Sequence, residues 1–245
     1  ELLVEHGADG SILVDARPHV GTDVLGPVVA RLAERVVALG GRIETGVRVE
    51  SLCIRDRRIA GAKTTAGRIS SPAVLLAVGL SARDTWTRLE RDGVVLEPKP
   101  FQCGVRAEHP QRWLDERQYG EAAGHPRLGA ASYKLAARVG GVPVFSFCMC
   151  PGGAILPTVN EPGHLCVNGM SRSDRGSAFA CSGLVATVDP RALGARCAAD
   201  CLTLVRRIEA RAFAAGGGDY TAPAQRLVDF ARGERSRRLP DISYP

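Results

Sequence analysis

Between residues 142 and 168 the chain runs through three short apolar stretches, 142–150, 154–159 and 164–168, joined by connections rich in Gly and Pro. Parallel neighbours need crossovers of a dozen or more residues, so connections this short dictate antiparallel pairing. Further strand candidates at 101–107, 130–138 and 181–187 extend the pattern, and a mixed or antiparallel sheet becomes the frame of this part of the chain. Asp189-Pro190 reads as an N-cap followed by proline at the first helical position, opening a helix to about residue 214. Gly216-Gly217-Gly218 then reads as a flexible connection to a second helix over 223–232, stopped by Gly233.

The N-terminal part has a different rhythm. Apolar residues recur at helical spacing from residue 22 to 39, with Thr22 as N-cap and Gly40-Gly41 as the stop. Three strand candidates follow, 42–55, 59–65 and 73–78, the first two joined by the polar turn Asp56-Arg57-Arg58, a layout that predicts a three-stranded meander. Because Val74-Leu75-Leu76-Ala77-Val78 is apolar throughout, it predicts a strand buried on both faces, feeding through Gly79 into a helix capped by Ser81. Gly93, Pro98 and Pro100 break regular structure over 93–100. The expected organisation is α/β (α+β): a first unit at 1–94 and a second at 95–245.

Composition narrows the function classes. At 245 residues with 45% hydrophobic and 24% charged residues the chain is long enough for a sizeable core, and it contains no internal repeat or low-complexity tract. No apolar stretch approaches the roughly 20 residues of a membrane span, and no signal peptide opens the chain, so a cytoplasmic protein is expected. The net charge of +6 rests on 29 scattered Arg and three Lys, without the basic stripe or aromatic interleaving that nucleic acid needs. Eight Cys in a chain of this size are expected to be reduced.

Several residues carry chemistry. On a strand Cys148 and Cys150 point to one face, and as a thiol pair beside the Pro151-Gly152-Gly153 turn they offer packing, redox chemistry or half a metal site. No further ligand pattern completes such a site, and no metal is expected. His19 is a candidate for proton or hydrogen-bond donation, and Tyr133-Lys134 places an acid beside a cation. Arg106, Glu108 and His109 form a charged group suited to an acidic or carbonyl substrate, or to an ordinary surface.

Taken in order, RPHVGTD (17–23), AVGLSARDT (77–85), FQCGVRAEHPQ (101–111), YKL (133–135), FSFCMCPGG (145–153) and CVNGMS (166–171) resemble an uncharacterised family of FAD-dependent dehydrogenases of the two-dinucleotide-fold type. The resemblance implies a Rossmann-like FAD domain, here partial, joined to a substrate domain. It also implies an internal fragment, because no glycine-rich strand-turn-helix fingerprint or FAD-closing segment is found in the sequence. In that family Gly21, Thr22, Val49, Ala77, Gly79, Ser81, Arg83 and the Pro151-Gly152-Gly153 backbone would face FAD, with Asn168 and Ser171 near the substrate. Two positions depart from the family's run, Leu80 in place of His and Gly176 in place of Asn. The function implied is an FAD-dependent oxidoreductase acting on a small molecule with an unidentified electron donor or acceptor. A truncated remnant or binding domain unable to hold FAD stays open beside it, as does flavin-dependent RNA modification, which draws only on the basic charge.

Overall fold

The computed structural model describes residues 1–244 and is an α+β protein of helices and three antiparallel sheets. Short helix α1 (Leu2–Glu5) and a 3-10 turn precede α2 (Thr22–Ala38), whose N-cap is Gly21. Thr22 is the first helical residue, not the cap, and its hydroxyl donates instead to the Ser171 carbonyl. Strands β1 (Val49–Arg55), β2 (Arg58–Thr64) and β3 (Gly67–Ser70) form the meander. Arg55 pairs with Arg58, so the hairpin turns on Asp56 and Arg57, both left-handed at φ 48° and 60°. That is the hand that matches strand twist in a two-residue hairpin.

The third strand of the meander is Gly67–Ser70, and the expected strand at 73–78 is absent. Residues 71–82 form no regular element, and Leu75 is 93% exposed. A strand apolar on both faces needs neighbours along both edges and layers above and below; among the described residues none stands there. Ser81 is likewise no cap: α3 (Arg83–Arg91) starts from Ala82, and the Ser81 hydroxyl donates to Asn160 Oδ1 at 2.7 Å.

From residue 101 the antiparallel frame appears. Strand β4 (Phe101–Pro110) runs into α4 (Gln111–Tyr119), followed by β5 (Ala136–Val139), β6 (Val142–Cys150), β7 (Gly153–Thr158), β8 (Cys166–Ser171) and β9 (Phe179–Val188). A four-stranded sheet has the order β4-β9-β6-β5, and β7 pairs with β8 in a two-stranded sheet. Every strand pair among the described residues is antiparallel. One face of the large sheet packs on α4, with Leu114, Ala131 and Ala180 at the centre and Tyr119, Tyr133 and Met149 around them. The opposite face carries the β7–β8 sheet, where the Cys181 thiol reaches the Ala154 carbonyl. Helices α5 (Ala198–Ala215) and α6 (Leu227–Arg232) complete the chain.

Helix α5 starts eight residues later than Asp189-Pro190 predicts. Asp189 does cap a turn, its carboxylate accepting from the Arg191 amide, but Gly194 at φ 87° ends that turn. The accessible surface is 16950 Å², against roughly 10,500 Å² for a compact monomer of 26.0 kDa. Apolar side chains such as Val29, Val37, Leu75 and Leu80 are among those left exposed, and α2 buries only Val28. Among the described residues no helix is long and apolar enough to cross a membrane.

Candidate functional site

The segment 17–23 and the loop 171–175 lie about 150 residues apart in sequence and clasp each other. Asp23 accepts from both the amide and the hydroxyl of Ser173 at 2.8 Å, and these bonds hold its carboxyl below the usual range. The His19 ring contacts the Arg172 carbonyl at 2.9 Å. A carbonyl only accepts, so Nε2 carries the hydrogen and the neutral ring keeps Nδ1 as an acceptor. Gly21, at φ 89°, is required here: a Cβ would stand 2.4 Å from the Ser173 amide nitrogen. The clasp borders an open pocket of about 480 Å³ lined by Ser11, Asp15, Ala16, Arg17, His19, Ser173 and Arg175. Arg17 donates to the Ser132 hydroxyl at 2.8 Å.

The Pro151-Gly152-Gly153 turn is buried against this loop. A Cβ on Gly152 would overlap the Arg175 carbonyl oxygen at 1.6 Å, and on Gly153 would meet the Met170 carbonyl at 2.6 Å. Ser171, also buried, donates to the Pro151 carbonyl at 2.9 Å. The bare backbone therefore lets chain approach chain. Gln111, which sequence reasoning left out of the site, ties the turn to α4: its Oε1 accepts from the Gly152 amide at 2.7 Å while its Nε2 donates to Asp115 and to the Ala131 carbonyl. Its one signal in the sequence is its place at the end of FQCGVRAEHPQ.

Cys148 and Cys150 do not share a face. The register with β9 slips between Phe147 and Cys150, and Cys148 takes φ 47°, so β6 carries a bulge. Cys148 ends exposed and Cys150 buried opposite Cys181. Cys181 is the partner that the alternation argument missed, because strand pairing across 31 residues leaves no local signal. Arg106 reaches over this pair, donating to the Cys148 carbonyl at 3.2 Å and to Asn168 Oδ1 at 3.4 Å.

The other candidates are dispersed. Glu108 binds the hydroxyl and amide of Ser243. His109 approaches the Tyr133 hydroxyl at 3.3 Å across the face that packs on α4. Burial lowers the His109 pKa and raises that of Tyr133, which favours the neutral form of both. Lys134 is exposed. Val49 borders a separate cleft of about 650 Å³ between β1 and α3. Ala77 lies in the irregular segment, as does Gly79, whose carbonyl accepts from the Trp86 indole at 3.3 Å. Arg83 points inward, its guanidinium 2.7 Å from Glu161 and from Glu209. All eight cysteines are free, and no group of three metal-ligating side chains occurs among the described residues.

An antiparallel α+β body with a polar pocket on its 171–175 loop is the setting for the comparison with known proteins. Residues 100–245 match the family described as FAD-dependent protein, C-terminal domain-like, and the chain belongs to that family. It is 36% identical over 242 residues, 98% of its own length, to an uncharacterized protein of Clostridium beijerinckii. The chain spans 45% of that relative.

Proposed function

We propose that the protein works as an FAD-dependent oxidoreductase in the cytoplasm, and that the pocket at the 17–23 clasp takes an anionic part of the flavin or of a small-molecule substrate. The observation that carries this reading is the lining itself. Arg17 and Arg175 form no ion pair with a carboxylate among the described residues, although both border an open polar cavity. Guanidinium groups favour a planar, multivalent acceptor, the chemistry of a diphosphate, a carboxylate or the pyrimidine edge of a flavin. The donor set therefore fits FAD.

When bound, FAD supplies hydride or electron transfer between the substrate and a separate electron donor or acceptor. Arg17 and Arg175 contribute positive charge where negative charge gathers. His19, with Nε2 committed to the Arg172 carbonyl, offers Nδ1 as a proton acceptor. Ser173 orders the loop through Asp23. On this reading Gly21, Thr22, Ser171 and the Pro151-Gly152-Gly153 turn shape the wall, and residues 1–94 contribute to a Rossmann-like FAD unit.

The test is flavin content. The complete gene product, purified and gel-filtered, is expected to retain FAD with absorbance near 450 nm, and Arg17→Ala with Arg175→Ala to lose most of it while keeping its far-UV spectrum. Equal FAD in both proteins removes the ligand from this pocket. Failure of the wild type to take up FAD on reconstitution removes the flavin reading altogether.

A further inference from the structure

Three strands bring a cation and two thiols together on the face of the large sheet that looks toward β7 and β8. Cys181 of β9 stands directly across from Cys150 of β6, and Nη1 of Arg106 from β4 lies 3.4 Å from the Cys181 sulfur and 3.9 Å from that of Cys150. Glycine at 169 is what leaves room: a Cβ there would stand 2.8 Å from the Cys181 sulfur and 2.2 Å from Arg106 Nη1. Arg106 is half-buried, and its partners are the two thiols, the Cys148 carbonyl and Asn168. Among the described residues it makes no ion pair, since nearby Glu108 is occupied by Ser243.

A guanidinium taken out of water needs a counter-charge. Of the groups touching Arg106 only a thiol can supply one. The hydrogen bond from Cys150 and the charge of Arg106 together lower the Cys181 thiol to about 7 against the opposing effect of burial, whereas the same hydrogen bond and burial push Cys150 up. The pair is thus divided into a more acidic and a less acidic thiol, the division of labour between an attacking and a resolving cysteine. Cys181 is 0% exposed and Cys150 8%; the surface end of the cluster is formed by Arg106, Asn168 and the bulged Cys148. For a pair buried this deeply the oxidant that suits it is the smallest one, hydrogen peroxide.

We propose that Cys181 and Cys150 are a peroxide-reactive dithiol, with Cys181 as the attacking thiolate, Cys150 as the resolving thiol, Arg106 as the positioning cation and hydrogen peroxide as the substrate class. The Cys181 sulfur attacks one peroxide oxygen, the O–O bond breaks, and the departing hydroxide takes a proton and leaves as water. Cys181 is left as sulfenic acid. The Cys150 sulfur then attacks the Cys181 sulfur; the S–S bond forms, the S–O bond breaks, and the hydroxide leaves as water with the Cys150 proton. One peroxide and two thiols become one disulfide and two waters. Exchange with an external dithiol restores the pair.

The experiment treats the folded protein with one equivalent of hydrogen peroxide and maps its peptides by mass spectrometry. A Cys150–Cys181 linkage with loss of two hydrogens is expected, and Cys148→Ser is expected to form it equally. Cys150→Ser should stop at a sulfenic acid on Cys181 that dimedone captures, a readout that does not depend on the behaviour of Cys181 variants. A thiol at 7 is half ionised at pH 7 and one at 9 about one per cent, a loss of about 50-fold in thiolate. The greater nucleophilicity of the more basic thiolate returns about eightfold, leaving a slowing of about sixfold at most. Arg106→Met should therefore react more slowly, within that limit, with the midpoint of its pH–rate profile moved upward; a purely packing role for Arg106 would leave the midpoint in place. Peroxide-resistant thiols at 150 and 181 in folded protein, or a linkage that requires Cys148, overturns the proposal.

Discussion

Replacing Arg83 by Met separates two roles for this side chain, a ligand to cofactor phosphates or the centre of a buried ion cluster. The Arg83 side chain is 5% exposed and holds Glu209, 10% exposed, and Glu161, 26% exposed, each at 2.7 Å. Removing one partner of a buried pair leaves an uncompensated charge and costs about 3 to 5 kcal/mol. For a chain of this size that lowers Tm by roughly 6 to 20 °C. The acid limb adds an internal control. Glu161 is held at about 2, first by Arg206 and then by Arg83, well below the ordinary 4.5 of a glutamate. Its contribution is therefore present above pH 4.5 and is lost as the pH falls through about 2. Its ceiling is about 3 kcal/mol, which its partial exposure trims toward 2. Since Arg206 still binds Glu161 at 2.6 Å, the variant should keep much of this acid limb while losing stability already at neutral pH. The assay is urea denaturation at pH 7 and pH 3 beside FAD content. Stability preserved to within 1 kcal/mol together with loss of FAD would refute the ion-cluster argument and return Arg83 to the phosphates.

Two other substitutions test local claims. Gln111→Leu strands the buried Gly152 amide and is expected to cost about 2 to 4 kcal/mol by chemical denaturation, with increased proteolysis within 171–177; an unchanged midpoint would deny Gln111 its hold on the turn. Arg57→Gly, at φ 60° in the β1–β2 hairpin, should stabilise by about 1 kcal/mol because glycine meets no Cβ strain there, and a destabilised variant would show that the Arg side chain compensates.

How far the sequence discloses the fold depends on how local each signal is. Residues 142–150 form a strand as the apolar run predicts, and Gly233 ends α6 in the left-handed conformation expected of such a stop. These readings need only the residues themselves. The strand expected at 73–78 needs neighbours on both sides, and its failure to form follows from their absence among the described residues. Helix α4 has no counterpart among the sequence expectations: it opens on Pro110 with no side-chain cap to mark its start. At the candidate site the 17–23 and 166–171 segments were legible through resemblance, yet the clasp on 17–23 rests on Ser173 and the Arg172 carbonyl, and the thiol pair rests on Cys181, each reached only through tertiary contact.

Strand β9 explains why so much chemistry gathers in the large sheet. Consecutive side chains alternate between faces, so Cys181 turns toward β7 and β8 while Ser182 turns toward α4. Their cross-strand neighbours follow: Glu108 and Cys150 stand opposite Cys181, and Ala107 opposite Ser182. The two faces remain electrically coupled through the thickness of one sheet. Burial is the chief reason the Tyr133 hydroxyl is raised, the Ser182 hydroxyl opposes it, and the charges of Cys181 and Arg106 act on it in opposite senses. A thiolate at 181 therefore helps keep Tyr133 protonated, and oxidation of Cys181 to a neutral disulfide leaves the Arg106 charge unbalanced, which eases Tyr133 toward ionisation. The thiol pair on one face and Tyr133 on the other are in this way electrically linked across the sheet, with burial still the larger influence on the tyrosine.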